Sequence, residues 1–249
     1  MNEIGLQLYT IRDALADDNK IPEIMQLVKD AGYRSVQVYG DSETSKKLGS
    51  AAINAGLRIL GSTGNFDEFF NNPNACMELH KTLGTNHIGI GGYWYKNLSD
   101  VEEFIKKANQ FARTLAEEGF IFSYHNHSHE FVRYENGKTA FEMLAEKLNP
   151  EIVFVLDTYW LQHGGADIRY WIEKLKGRIE VLHLKDMKRT ETGTTFAEVG
   201  QGNLWWDGII KAAEECGVRH FVVEQDEWDK DSLECIRISS QYLHQHFIR

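Results

Sequence analysis

Short apolar runs alternate with longer amphipathic segments eight times along the chain, and this alternation constrains the fold more tightly than any single residue does. The strand-like runs fall at 5–9, 34–39, 57–62, 86–91, 120–125, 152–157, 179–185 and 220–224. Between and after them, the spacing of apolar residues predicts helices over 21–31, 42–55, 67–83, 99–118, 139–148, 167–176, 204–216 and 231–247. Gly32, Gly56, Gly119 and Gly217 each stand where a helix would stop and a strand begin, the place for a left-handed cap. Ser99, three residues before Glu102, has the spacing of a capping box. Eight such units in 249 residues are what a (β/α)8 TIM barrel needs, and one barrel domain over 1–249 accommodates them all. A doubly wound open sheet is the competing architecture. It would carry fewer units and a glycine-rich first turn, whereas Tyr9-Thr10-Ile11-Arg12 is not built to cradle a phosphate. The two longest connections, 127–138 and 187–203, both follow strands, which puts them at the catalytic end of a barrel.

Composition narrows the classes of function. With 42% hydrophobic residues the chain can bury a full core. No apolar run approaches the ~20 residues of a membrane span. The first residues enter a strand without a signal-peptide pattern, so no membrane partner and a cytoplasmic location are expected. The net charge of −10 and the absence of a basic stripe disfavour nucleic acid as a partner. Cys76, Cys216 and Cys235 lie far apart in predicted helices, so neither disulfides nor a thiolate metal site is expected.

The ends of the last four strands carry the candidate chemistry. Val181-Leu182-His183-Leu184-Lys185-Asp186 alternates leucines on one face with His183 and Lys185 on the other, where a packed core would want neither. Asp157 ends one run, Glu224 another, and a third ends in His125-Asn126-His127. Asp157, His183, Glu224 and one of the two histidines form a mixed oxygen and nitrogen set suited to Mn2+, Co2+, Zn2+, Fe2+ or Mg2+. Singly, such an aspartate is more often a helix cap and such a histidine a hydrogen-bonded core residue; their convergence on adjacent strands favours a metal site. Alternation puts His125 and His127 on one face and Asn126 on the other, with His125 deeper and suited to the metal. His127, nearer the rim, is placed to move a proton or hold substrate. Glu130 is either a further ligand or acid/base, or an exposed loop carboxylate. Lys185 would face a developing oxyanion, or form a salt bridge to Asp186 or Glu224. Gln7, Tyr9, Gln37 and Thr63 are candidates for binding hydroxyls on the opposite wall. Trp94, Trp160 and Trp206 would stack on a sugar ring or pack loops against helices. No cluster of basic residues marks a phosphate site; Arg12, Lys188 and Arg189 are the basic residues to watch.

On these residues the chain resembles the sugar phosphate isomerase/epimerase family, which has a xylose isomerase-like barrel. Inosose dehydratases, ketose 3-epimerases and, more remotely, enzymes of the endonuclease IV type are its relatives. The resemblance runs through Gly5-Leu6-Gln7-Leu8-Tyr9-Thr10, Tyr124-His125-Asn126-His127, Leu156-Asp157-Thr158-Tyr159-Trp160, His183-Leu184-Lys185-Asp186 and Val223-Glu224-Gln225-Asp226. Residues 196–203 are similar to the family's glycine-rich loop before the seventh helix. The resemblance implies that Asp157, His183 and Glu224 bind metal. The family usually has a glutamate, ligand and acid/base at once, where this chain has His125. Dehydratase relatives often carry a histidine at the position of His127. Trp160 stands where the endonuclease relatives would have a further zinc ligand, so a trinuclear DNA-repair site is not implied.

The expected function is therefore a divalent-metal-dependent isomerase or epimerase that acts on a sugar or keto-sugar through an enediolate. Glu224 or His127 would take a proton, and His127 or Lys185 would return one. The alternative is a carbon–oxygen lyase on a 3-keto-sugar, keto-glycoside or inosose, favoured by the missing fifth-strand glutamate. A sugar-binding barrel without activity comes third. The expected partner is a small-molecule sugar, and the tryptophans make a homodimer a further expectation.

Overall fold

In the computed structural model, which describes residues 1–248, the alternating runs become a closed parallel barrel with helices between its strands. The strands are β1 (Gly5–Gln7), β2 (Ser35–Tyr39), β3 (Arg58–Gly64), β4 (His87–Ile90), β5 (Ile121–His125), β6 (Val153–Asp157) and β7 (Ile179–Leu184). An antiparallel hairpin of β8 (Asp186–Arg189) and β9 (Thr194–Ala197) follows, and β10 (His220–Val223) closes the barrel. The helices are α1 (Ile21–Asp30), α2 (Ser42–Asn54), α3 (Phe66–Asn71), α4 (Pro73–Leu83), α5 (Leu98–Glu117), α6 (Ala140–Lys147), α7 (Thr158–His163), α8 (Ile168–Lys174), α9 (Trp206–Glu215) and α10 (Ser232–His246). Neighbours around the barrel run β1, β10, β7, β6, β5, β4, β3, β2, so each barrel strand lies beside its neighbours in the chain.

Two apolar clusters hold this arrangement. The larger lies between strands and helices and takes the outward residues Leu6, Val36, Ile88, Phe122, Phe154, Leu182 and Val223. The smaller is Leu60, Val155, Val181 and Val222. Val155, Val181 and Val222 stand two residues before Asp157, His183 and Glu224 and share their face of the sheet, so this cluster plugs the barrel directly beneath them. The interior thus changes from apolar to ionic within one step of the strand alternation. At the other end, a register shift in the β6–β7 pairing leaves Glu180 unpaired. Its buried carboxylate lies 3.5 Å from His87 of β4 and 3.6 Å from His220 of β10.

The predicted elements differ from the observed ones in places that have local causes. The helix expected over 67–83 is two, because Pro73 has no N–H to continue α3 and instead opens α4. Ser99 does not cap: α5 begins at Leu98, and Asn97 accepts the Asp100 N–H at 3.0 Å. The capping box is at Thr139 and Glu142 instead. The connection over 187–203 contains the β8–β9 hairpin. Gly32, Gly56, Gly119 and Gly217 do take positive φ at the helix ends. Among the described residues, no helix is long and apolar enough to cross a membrane.

Candidate active site

Because β5, β6, β7 and β10 are successive neighbours, the residues at their C-terminal ends meet. His183 pairs with Asp157 on one side and with Val222 on the other, and Glu224 stands two residues beyond Val222. One donor atom each from His125, Asp157, His183 and Glu224 lies within 4.8 Å of the other three, and all four residues are buried. Asp157 Oδ2 is 3.3 Å from His125 Nε2 and 3.7 Å from His183 Nδ1. Glu224 Oε2 is 2.7 Å from His183 Nδ1 and 3.9 Å from His125 Nε2.

The tautomers give this cluster its character. His183 Nε2 donates to Gln37 Oε1 at 2.6 Å, and His125 Nδ1 donates to the Gly91 carbonyl at 3.3 Å. Each imidazole therefore turns its other nitrogen toward the carboxylates. His183 Nδ1 and Glu224 Oε2 are both buried without a hydrogen-bond partner. Lone pairs facing each other at that separation repel unless a cation lies between them. The His183 pKa answers to this: burial would lower it, but the Glu224 and Asp157 carboxylates prevail and push it up to about 8. Despite its burial, Glu224 is held far below the usual carboxylate range by Lys185 and His183. Two imidazole nitrogens and two carboxylate oxygens converge here, and this donor set fits a divalent metal.

Lys185 shares the inward direction of His183, as the alternation predicts. Its ammonium lies 3.0 Å from Asp157 Oδ2, 2.8 Å from Glu224 Oε2 and 3.1 Å from both oxygens of Asp226. Burial opposes its charge, yet the three carboxylates outweigh burial and hold its pKa above the ordinary lysine value. Asp186, one of the two expected partners, is not one; its carboxylate turns away into the loop that follows β7.

A cavity of about 470 Å3 opens over these groups, and Tyr9, Thr63, Trp94, His125, His127 and Glu224 line it. Gln7 and Gln37 are buried beneath, Gln7 donating to Thr63 Oγ1 at 3.2 Å and Gln37 fixing His183. Trp160 lies beside the cluster, its ring 5.2 Å from His127 and 5.6 Å from Lys185 Nζ, with its indole N–H buried and unpartnered. Trp206 does not reach the cavity: it is buried, and its indole N–H donates to Asp186 at 2.8 Å. Glu130 is neither exposed nor among the converging donors. It accepts the Tyr124 O–H at 2.8 Å and the His127 N–H at 2.9 Å, and so braces the turn that carries His127. Burial, with His125 and the Lys185 ammonium nearby, pushes His127 down to about 2, so its imidazole stays neutral.

Besides Gly40 and Gly91, the lining residues Tyr39, Asp226 and Glu227 were not among the expected ones. Asp226 was within reach of the alternation, since it stands two residues past Glu224. It is a carboxylate on the cavity wall outside the converging four, and burial raises its pKa while Lys185 opposes that rise. Arg12 also lines the cavity, 4.2 Å above the Tyr9 ring and 4.4 Å from the Trp228 ring, donating to the carbonyls of Tyr9 and Asp226.

Comparison with known proteins agrees with this architecture. A family model described as a xylose isomerase-like TIM barrel matches residues 25–243. Over 96 residues the chain is 27% identical to the inosose dehydratase of Mesomycoplasma hyopneumoniae, a match over 38% of this chain and 31% of that relative's length. Among solved structures, a sugar phosphate isomerase/epimerase from Parabacteroides distasonis superposes with a TM-score of 0.84 at 23% identity, covering 99% of this chain and 94% of that one. The probable 3-DHS dehydratase of petrobactin synthesis from Bacillus anthracis gives 0.74 at 15% identity, over 98% and 99% of the two chains. A D-allulose 3-epimerase from Methylomonas sp. gives 0.73 at 12%, over 98% and 97%. At these identities the likeness of structure is a likeness of fold.

Proposed function

Since this chain belongs to the xylose isomerase-like TIM barrel family, we propose that it is a divalent-metal-dependent enzyme that enolises a sugar or keto-sugar, as an isomerase or epimerase. The observation that carries this reading is the convergence of His125, Asp157, His183 and Glu224, with each imidazole held in the tautomer that leaves a nitrogen free toward the carboxylates. A divalent cation held by these four would supply Lewis acidity, polarising a carbonyl and favouring loss of a proton from the neighbouring carbon. Asp226 suits the role of base better than Glu224 or His127, because it lines the cavity, lies outside the converging four, and is not pushed far down in basicity. Lys185 holds Asp226 in place and brings a fixed positive charge to the site. The neutral ring of His127 would hydrogen-bond a hydroxyl of the substrate, and Tyr9, Thr63 and Trp94 would position the rest of it.

A second reading, a carbon–oxygen lyase on a keto-sugar, is favoured by one specific feature. The carboxylates that line the cavity, Glu224, Asp226 and Glu227, all come from the segment just after β10, while the wall that holds Tyr9, Tyr39 and Thr63 has none. Epimerisation needs proton carriers on two faces of the carbon, whereas elimination or a 1,2-proton shift can be served from one.

The test begins with metal analysis of protein purified without chelator, in parallel with Asp157→Ala and His183→Ala. Near-stoichiometric metal in the wild type, lost in both variants, is expected. Keto-sugars are then incubated in D2O and followed by NMR: deuterium at one carbon with all hydroxyls retained marks the isomerase or epimerase, and loss of a hydroxyl marks the lyase. A wild type that stays empty after incubation with Mn2+, Co2+ and Zn2+ overturns the reading.

A further inference from the structure

Glu130 is a fully buried carboxylate that the chemistry above leaves without a counter-charge. Its Oε1 accepts the Tyr124 O–H at 2.8 Å, and its Oε2 accepts the His127 N–H at 2.9 Å. Among the described residues no lysine or arginine pairs with it; the group that faces it is the His129 ring, whose Nδ1 stands 3.4 Å from Oε2. His129 Nε2 donates to the Tyr93 carbonyl at 2.9 Å, so a neutral His129 turns a bare nitrogen toward the carboxylate. That pair needs a proton or a metal ion between its atoms, because a buried anion without a counter-charge is costly.

The surroundings favour a metal ion. One donor atom each from His127, His129 and Glu130 lies within 4.8 Å of the other two, and His127 Nδ1 is buried with no hydrogen-bond partner. The 3.4 Å from His129 Nδ1 to Glu130 Oε2 matches the edge of a tetrahedron, about 3.4 Å when the metal–ligand bonds are about 2.1 Å. The outer partners are those of a metal site as well. A backbone carbonyl fixes the His129 ring, and a phenol holds the other oxygen of Glu130, with Tyr95 donating in turn to Tyr124 at 3.2 Å. The Trp94 indole lies against both rings, stacked on His129 at 5.0 Å and 5.4 Å from His127.

We propose that His127, His129 and Glu130 form a second divalent-metal site, beside the first but outside its four donors, and that Zn2+ is the ion it takes. Two imidazoles and a carboxylate suit zinc better than magnesium or calcium, and three protein ligands leave a fourth position for water. His127 lines the cavity, so the site stands in its wall. It requires neither the enolising chemistry nor a metal at the first site. All three ligands fall within 127–130, so one turn of chain assembles the site and barrel closure does not. With three donors it should bind more weakly than the four-donor site and lose its metal during purification. It should also add little to the melting temperature, since the unfolded segment keeps its two histidines close together.

The test is equilibrium dialysis of the full chain against Zn2+, with bound metal measured by elemental analysis. The wild type is expected to take up a second equivalent more weakly than the first. Asp157→Ala should keep that equivalent, and Asp157→Ala combined with His129→Phe should lose it. Phenylalanine removes both nitrogens and keeps a ring to stack on Trp94, so the packing of the loop is retained. Binding that stops at the Asp157-dependent equivalent overturns the proposal. A second equivalent that survives His129→Phe, in a chain folded by far-UV circular dichroism, also overturns it. Should the phenylalanine variant not fold, His129→Gln takes its place in the same comparison. Absence of the Asp157-dependent equivalent counts against the enolising reading alone, because the His129-dependent one is read separately.

Discussion

At the scale of single residues, what a histidine can do here is decided by the partner of its other nitrogen. His183 and His125 turn free nitrogens toward carboxylates because Gln37 and Gly91 take their N–H groups. His80, away from the site, shows the opposite use of the same chemistry. Its Nδ1 donates to the Cys76 carbonyl at 2.7 Å and its Nε2 accepts from Ser62 Oγ at 2.7 Å, which fixes a neutral ring in the core. Burial pushes its pKa down to about 4. The unfolded chain, with an ordinary histidine value of about 6.5, therefore takes up the proton first. The stability is fully present above about pH 6.5 and is lost as the pH falls toward 4, by on the order of 3 kcal/mol from this residue. Urea unfolding at about pH 7.5 and about pH 5 should show a smaller loss in His80→Gln than in the wild type; equal losses would remove His80 from the account. The identities of these histidines are plain in the sequence, but their protonation is not, because Gln37 and His183 are 146 residues apart.

Among the elements, the segment from β7 to α9 joins the candidate site to the architecture. One face of β7 delivers His183 and Lys185 to the cavity, and the next residue, Asp186, ties down the loop that follows. That loop carries β9 and Phe196, whose ring stacks on Tyr159 at 4.0 Å and lies 5.9 Å from Lys185 Nζ. Gly202→Ala should destabilise the protein by about 1–3 kcal/mol, since the new methyl must displace the Asp186 carboxylate from its donors. Thermal unfolding by circular dichroism reads this, and an unchanged midpoint would show that the loop yields without cost. The strand alternation in 181–186 is legible in the sequence. The hairpin is not, because what pins it is a set of N–H groups that converge on one carboxylate only after the loop has folded back.

At the scale of the whole molecule, barrel closure is what makes four separate strand ends into one site. A ligand held by β5, β6, β7 and β10 together stabilises the closed barrel, because the unfolded chain cannot present the four donors at once. A divalent metal at about 100 times its dissociation constant should add about 2.7 kcal/mol. For a chain of this size that is a rise in melting temperature on the order of 5–10 °C. Differential scanning fluorimetry with Mn2+ or Zn2+ checks it, and Asp157→Ala should show no rise; an equal rise in that variant would place the metal elsewhere. By itself, the sequence determined the eightfold βα order, the inward direction of His125, Asp157, His183, Lys185 and Glu224, and the glycine caps, because period, alternation and capping are local rules. Only the tertiary structure decided that Lys185 answers to Asp157, Glu224 and Asp226, that Glu130 and Trp206 turn away from the cavity, and that Asp186 gathers the N–H groups of its own loop. Those are contacts between distant parts of the chain, and a buried charge takes whichever partners the closed barrel brings within reach.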